Sequence, residues 1–594
     1  MKKLRNSKIA KTIGYILIPL FIWVCLLCLE YMNDGNIEKP FQRWDASGKL
    51  FFAMIVMSVL SLVLLSLIKK VWIYATVFSS FTLIVGIINN LKLTSNGDNL
   101  VPWDITMAGN IGQLAGFVKI SLPPLMFAFI PIAALFILYF WACSLKMPFK
   151  WYYKLPVPVI IVVFIAVLWN QPKLMEKNLK KFGMSFNDSI LQSSNYSANG
   201  FVNAFTINCF ALKVSEPENY SANAVESELL RYEGTEAKSS PDVIVILSEA
   251  FFDARTLNGT EFSKNPLENW DEITSRDNCV SGMMYTTAHG GGTVRTEFEV
   301  LTGLTVDYLI NGTSPYLYVT KPLDSYVSNY KNQGYRTIAL HSYDGKFYSR
   351  NVAYPLLGFD EFITQDDMAK RPDCSFRRGY ITDDTFMNTL IDTLENSDSE
   401  NNFVFGITME NHQKYAKSDP ADIKIEVKNE SLSEDILDSL TTYTQGLYYA
   451  DKALKKLVDY IDSREKETVL LYFGDHLPAM GGYQQVYNES GNVDNRDGYT
   501  TDELECLYSA PYLVYSNYGV DFKTDTDWSD VSTYYLLSLI ADKTGTAKTP
   551  YMNLLVDKYK TLPYYHARLG IRLEGKNKSF IKLMEDYTYY KLTD

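Results

Sequence analysis

The chain has 594 residues, 47% of them hydrophobic, and a formal net charge of −12, which is too long for one ordinary domain. Residues 1–170 hold 15 Lys/Arg against 6 Asp/Glu, a net +9, which leaves about −21 for residues 171–594. That acidic remainder excludes nucleic acid as a partner, because binding a phosphate backbone needs a basic surface; it still allows a phosphate held by a metal and one or two local cations.

Five apolar segments are predicted to span a bilayer, at roughly 12–32, 50–68, 71–90, 122–144 and 154–170. The last is the shortest and begins at Pro156 and Pro158. The first has too long an apolar core, and lacks the small-residue site, of a cleavable signal peptide. Lys2, Lys3, Arg5, Lys8 and Lys11 precede it, and Lys69, Lys70, Lys146 and Lys150 mark alternate loops. The excess of positive charge places these on the cytoplasmic side. Five crossings then put residues 171–594 outside; an even count would reverse this. Loop 91–120 reads equally as an interfacial segment or an ordinary surface loop. Residues 171–240 are polar and rich in Asn, Ser and Tyr, as in a connector with some helix. Ala222-Asn223-Ala224 has the small-residue pattern of a signal-peptidase site but lies far from any span.

Beyond residue 240, four short runs rich in β-branched and aromatic residues, 243–247, 337–340, 403–407 and 468–473, read as buried strands. Helical patterns at 383–396 and 434–460 lie between some of them, which predicts an α/β sheet with helices on both faces. The first run ends in Ser248-Glu249, the second in His341, the third in Thr408-Met409-Glu410-Asn411-His412 and the fourth in Gly474-Asp475-His476. Sheets of this kind bind ligands at the carboxyl ends of their strands. Three of the chain's five histidines fall there. In residues 289–297, HGGGTVRTE, three glycines let the backbone approach a ligand before a predicted helix at 294–301. Thr293 reads there either as a nucleophile at a helix N-terminus or as a plain helix cap. Of the seven cysteines, Cys25, Cys28 and Cys143 sit in apolar segments, and the other four show no disulfide or zinc-site spacing.

The five-span beginning followed by SEAFFD, GGGTVRTEFE, TMENH and FGDH resembles the lipoteichoic acid synthase family of the alkaline phosphatase/sulfatase superfamily. The resemblance implies a five-helix transmembrane domain at 1–170, a connector at 171–240 and an extracellular sulfatase-like α/β domain at 241–594, at the plasma membrane of a Gram-positive bacterium with the N-terminus cytoplasmic. It implies a single manganese or magnesium ion on Glu249, Thr293, Asp475 and His476, with Thr293 as nucleophile and His412 as a second catalytic residue. It places His341, Tyr348 and Arg350 at the substrate headgroup. Tyr343 stands where the family often has Asp, and Tyr348 where it often has Trp. The Cys/Ser-x-Pro-x-Arg pattern of formylglycine sulfatases surrounds no cysteine here. The implied activity is transfer of glycerol phosphate from phosphatidylglycerol to a glycolipid or polysaccharide acceptor of the cell envelope. A phosphoethanolamine transferase and a non-catalytic surface protein that binds polymer or lipid are the alternatives.

Overall fold

The computed structural model describes residues 2–45, 48–96, 99–105, 123–147, 154–169, 172–184, 192–210, 214–309, 314–481, 484–494 and 499–593. Two compact units divide the chain, one up to residue 215 and the other comprising 216–309 and 314–594.

In the first unit, α1 (Lys8–Asp34), α2 (Lys49–Leu67) and α3 (Val71–Asn96) are long and apolar enough to cross a membrane. The other two predicted spans form shorter helices, α4 (Met126–Ala142) of 17 residues and α5 (Pro156–Trp169) of 14. At 1.5 Å per residue these reach about 26 and 21 Å, short of a hydrocarbon core of about 30 Å. Residue 122 of the first segment, residue 170 of the second and residues 106–120 of the long loop lie outside the described residues. Phe21 of α1 anchors the packing: its ring lies 6.2 Å from Tyr74 and from Phe78, and 5.6 Å from Phe136. No side chain of α5 is buried.

The stretch 171–240 is divided between the units. Helices Pro172–Lys181, Gln192–Asn199 and Phe201–Phe210 belong to the first unit, and Ala222–Leu229 to the second. Within the first unit, a charge in α1 holds the last of these helices. Glu30 is fully buried, pairs with Arg43 at 2.9 Å and accepts the Phe201 and Val202 amides at 3.0 and 3.3 Å. A carboxylate on the free N–H groups of a helix start satisfies both partners.

The second unit is built on an eight-stranded sheet: β1 (Asp242–Ser248), β2 (Cys279–Tyr285), β3 (Arg336–His341), β4 (Glu361–Thr364), β5 (Asn402–Ile407), β6 (Thr468–Gly474), β7 (Ser509–Ser516) and β8 (Asp530–Ser532). In space the order is β8-β2-β7-β6-β1-β5-β3-β4. The four runs foreseen from sequence are the contiguous parallel strands β6-β1-β5-β3. Every residue of β1, β5 and β6 is buried, as expected of parallel strands covered on both faces. Helix α6 (Thr293–Thr302) packs with Leu536–Thr544 and Tyr326–Asn332, and the long helix α8 (Glu434–Ser463) packs with α7 (Asp383–Glu395) and Glu268–Thr274.

Register places the site. Ser248 pairs with Gly474, Leu247 with Ile407, and Ile407 with His341. The carboxyl ends of four strands therefore finish level, and the chemistry-bearing residues that follow them emerge along one edge.

Candidate functional site

Glu249 leaves β1 and Asp475 leaves β6 side by side. Asp475 Oδ1 accepts the Ala250 amide at 2.8 Å. Gly474 makes this approach feasible: a Cβ there would stand 2.0 Å from the Phe251 carbonyl oxygen, so only glycine fits. Tyr443 of α8 holds the β1 turn, donating to the Ala250 carbonyl at 2.8 Å and accepting from the Phe252 amide at 2.9 Å.

The glycine loop supplies the third side of the site. Gly290, Gly291 and Gly292 have φ of 63°, 141° and 93°, conformations that side-chain-bearing residues rarely adopt. Gly290 donates to the Leu477 carbonyl at 2.9 Å, and Thr296 Oγ1 donates to the Asp475 carbonyl at 2.8 Å. These bonds tie the start of α6 to the Asp475-His476 turn. Thr293 is the first residue of α6, buried, with its hydroxyl 3.5 Å from Glu249 Oε2. No side chain caps this helix, which leaves its first-turn amides to favour an anion.

Glu249, Asp475 and His476 bring ligand atoms within 4.8 Å of one another, all buried. His476 Nε2 lies 3.2 Å from Asp475 Oδ2 and 3.9 Å from Glu249 Oε1. Asp475 Oδ2 and His476 Nε2 make no hydrogen bond among the described residues, and burial together with the facing Asp475 carboxylate raises Glu249 well above its usual range. Two buried carboxylates that confront each other, beside an unbonded ring nitrogen, are uncompensated without a cation. The donor set, two carboxylate residues and one imidazole with a hydroxyl beside them, suits an oxygen-preferring divalent ion.

His341 ends β3 fully buried, and its Nε2 lies 3.2 Å from Arg350 Nη1. Burial and the Arg350 charge push its pKa well down. Arg350 directs its Nε and Nη2 edge to Glu297 of α6, at 3.0 and 2.7 Å. The Arg350 fork, which the resemblance places at the substrate headgroup, is thus engaged by a carboxylate, and Nη1 is the edge left beside His341. Glu297 also accepts from Tyr316 at 2.7 Å and Tyr354 at 2.6 Å. Tyr348 has a left-handed φ of 58°, and its ring lies 5.2 Å from the Arg350 guanidinium. Burial, and the carboxylates of Glu249 and Asp475, raise its phenol.

His412 follows β5. Its Nδ1 donates to the Gln413 carbonyl at 2.6 Å, and burial brings its pKa down to about 4. The neutral ring therefore has its proton on Nδ1, which leaves Nε2 as the basic atom. His566 lies elsewhere in the fold, capping Ala567–Leu569 by accepting the Arg568 amide at 3.2 Å. All seven cysteines are free.

Three structural groups were not foreseen from sequence. Glu297 sits inside the GGGTVRTEFE motif, one helical turn beyond Thr293, and that spacing was its signal. Tyr443, and Tyr380 whose hydroxyl lies 3.0 Å from His412 Nδ1, had none, because their partners are distant in sequence.

Residues 241–546 match the sulfatase family model, and the chain belongs to that family, within the alkaline phosphatase superfamily. A protein of Rhizobium meliloti named for cyclic beta-1,2-glucan modification is 28% identical over 427 residues, covering 71% of this chain and 63% of that one. The capsular polysaccharide biosynthesis protein RkpI of the same organism is 29% identical over 255 residues, covering 42% and 44%. The chain thus spans less than two thirds of the length of the curated relatives it matches. Among solved structures, the phosphoglycerol transferase GacH of Streptococcus pyogenes, in complex with sn-glycerol-1-phosphate, superposes with a TM-score of 0.52 at 20% identity, covering 64% of this chain and 95% of that one. That likeness is one of fold.

Proposed function

We propose that this protein is a membrane-anchored phosphotransferase that moves glycerol phosphate from phosphatidylglycerol onto a glycan of the cell envelope, with its second unit on the outer side of the plasma membrane. The observation that carries this reading is the Thr293 hydroxyl at an uncapped helix start, 3.5 Å from a carboxylate of the Glu249–Asp475–His476 cluster. A relic that only bound polymer would need neither the hydroxyl nor the acid pair. Apolar helices in the first unit fit a donor that stays in the bilayer. The glycan acceptor is supported by relatives whose names refer to glucan and capsular polysaccharide.

Glu249, Asp475 and His476, with Thr293 beside them, would hold a manganese or magnesium ion. When bound, the ion supplies charge to offset the phosphate and to ease deprotonation of the hydroxyl. In the first half-reaction a bond forms between Thr293 Oγ1 and phosphorus, and the bond to the diacylglycerol oxygen breaks. The threonine loses its proton and the diacylglycerol oxygen gains one. In the second half an acceptor oxygen bonds to phosphorus, the bond between phosphorus and Thr293 Oγ1 breaks, and Thr293 takes back a proton. His412, neutral with Nε2 basic, takes the acceptor's proton. The helix start of α6 and Arg350 Nη1 provide positive potential for the phosphoryl oxygens.

The test is diacylglycerol release from fluorescent phosphatidylglycerol by the full-length protein with manganese. Release that Thr293→Ala abolishes is expected. Release that persists in Thr293→Ala overturns the nucleophile, and release only from phosphatidylethanolamine replaces the donor.

A further inference from the structure

A short hairpin, Phe376–Arg377 paired with Tyr380–Ile381, reaches the loop that carries His412. Its turn is tight: Arg378 and Gly379 have φ of 52° and 89°, the twist that joins two-residue hairpins. Two arginines, Arg377 before the turn and Arg378 in it, reach the His412 loop. Arg377 forms an ion pair with buried Glu410. Arg378 donates to the carbonyls of Glu410 and His412, the latter at 3.2 Å, and lies 5.5 Å over the ring of Tyr415. Tyr415 in turn donates to the Asn411 carbonyl at 2.9 Å. The backbone before and through His412 is thereby held at three consecutive carbonyls.

Tyr380 adds a contact to the ring itself. Its hydroxyl lies 3.0 Å from His412 Nδ1 and donates to the Gln413 carbonyl at 3.0 Å. That carbonyl stands 2.6 Å from Nδ1 and can only accept. The single phenolic hydrogen is directed to the carbonyl, so the phenol oxygen presents a lone pair to Nδ1. Nδ1 thus faces two acceptors, and only the tautomer with hydrogen on Nδ1 satisfies both.

We propose that Tyr380 is a positioning residue that works together with the Gln413 carbonyl to select the Nδ1-protonated tautomer of His412 and so presents Nε2 as the basic atom to the acceptor hydroxyl, with the Arg378 clamp fixing the backbone beneath it. This rests on the reading of His412 as a proton-exchanging group.

Tyr380→Phe removes the hydroxyl and keeps the ring. The full-length chain, ¹⁵N-labelled at its five histidines and held in lipid bilayers, reports the ring tautomer by solid-state NMR, with His412→Gln assigning the signal. The wild type is expected to show hydrogen on Nδ1. Tyr380→Phe is expected to show a mixture of tautomers, with kcat for phosphatidylglycerol lowered roughly tenfold, a fraction of what a general base contributes, and KM unchanged. Hydrogen on Nε2 in the wild type overturns the proposal. So does a Tyr380→Phe protein with an unaltered tautomer, whether or not kcat falls, or an altered tautomer with unaltered kcat. Absence of turnover on every donor would end the proposed function, while the wild-type tautomer would still decide this inference.

Discussion

A buried guanidinium stripped of its carboxylate is a costly defect, because its charge keeps the desolvation cost without a counter-charge. Arg350 and Glu297 have side chains only 1% and 0% exposed. Glu297→Gln is therefore expected to destabilise the protein by about 3–5 kcal/mol, measured as a lowered denaturation midpoint. It should also free the guanidinium fork, so KM for the phospholipid is expected to change together with stability. The Glu249–Asp475–His476 cluster, proposed to hold a divalent ion, gives a second residue-scale expectation. Chelation should lower Tm, and manganese at a hundredfold excess over its Kd should restore about 2.7 kcal/mol. Asp475→Asn should abolish that response; an Asp475→Asn protein that still responds fully would remove Asp475 from the donor set. Glu249, Asp475 and His476 were legible in the sequence because each directly follows an apolar run. The spacing of Glu297 from Thr293 marked its place near the site, but its partner Arg350, like the partner His412 of Tyr380, is set by tertiary structure and was not legible.

The same contrast holds for whole elements. Strands β1, β5 and β6 are apolar runs rich in β-branched and aromatic residues, and α8 keeps an apolar stripe over 30 residues, so local pattern and tertiary role agree. Strand β7 carries Pro511 although it lies between β6 and β2, and proline argues against an interior strand. Strand β2 carries Gly282, where a Cβ would stand 2.0 Å from the Trp528 carbonyl oxygen; the neighbouring chain demands a residue that weakens the strand signal. Gly446 in α8 has a similar origin. A glycine inside a helix costs about 1 kcal/mol relative to alanine, yet a Cβ here would stand 1.9 Å from Asn411 Oδ1. Gly446→Ala is expected to push Asn411 and the adjoining His412 out of place. Turnover should fall at least tenfold, by analogy with other misplaced catalytic groups, while the manganese-induced Tm shift survives. Loss of both together would mean that the helix itself had moved.

At the scale of the second unit, buried acids set the response to pH. Burial and the Asp307 charge raise Glu299 to about 7, and burial raises Asp307 to about 6. Glu299 accepts from the Val306 amide at 2.9 Å and from Thr533, and Asp307 accepts from the Ala567 amide at 2.8 Å. Both pKa values are higher in the folded state, so folding takes up protons between about pH 4 and 7. Their contribution is therefore fully present at the acidic end and is lost as pH rises through 6 and 7. Stability should decline across that window, and Glu299→Gln should flatten the decline in urea midpoints measured from pH 5 to 8. For the membrane orientation, Cys374 and Cys506 are half-buried rather than sealed. An impermeant maleimide is expected to label them on intact cells; labelling only after lysis would put the second unit inside.

The level strand ends have one more consequence, for the order in which the molecule is made. The Ala250 amide and the Asp475 carboxylate that receives it are 225 positions apart. Neighbours in the finished site are thus among the late and early parts of the growing chain. The apolar helices and Glu249 leave the ribosome long before Asp475-His476, so these helices are complete while this corner of the site is still missing a wall. The Glu249–Asp475–His476 cluster is incomplete until the sheet has closed, and a chain ending before residue 475 would carry Thr293 without two of the three side chains gathered beside it.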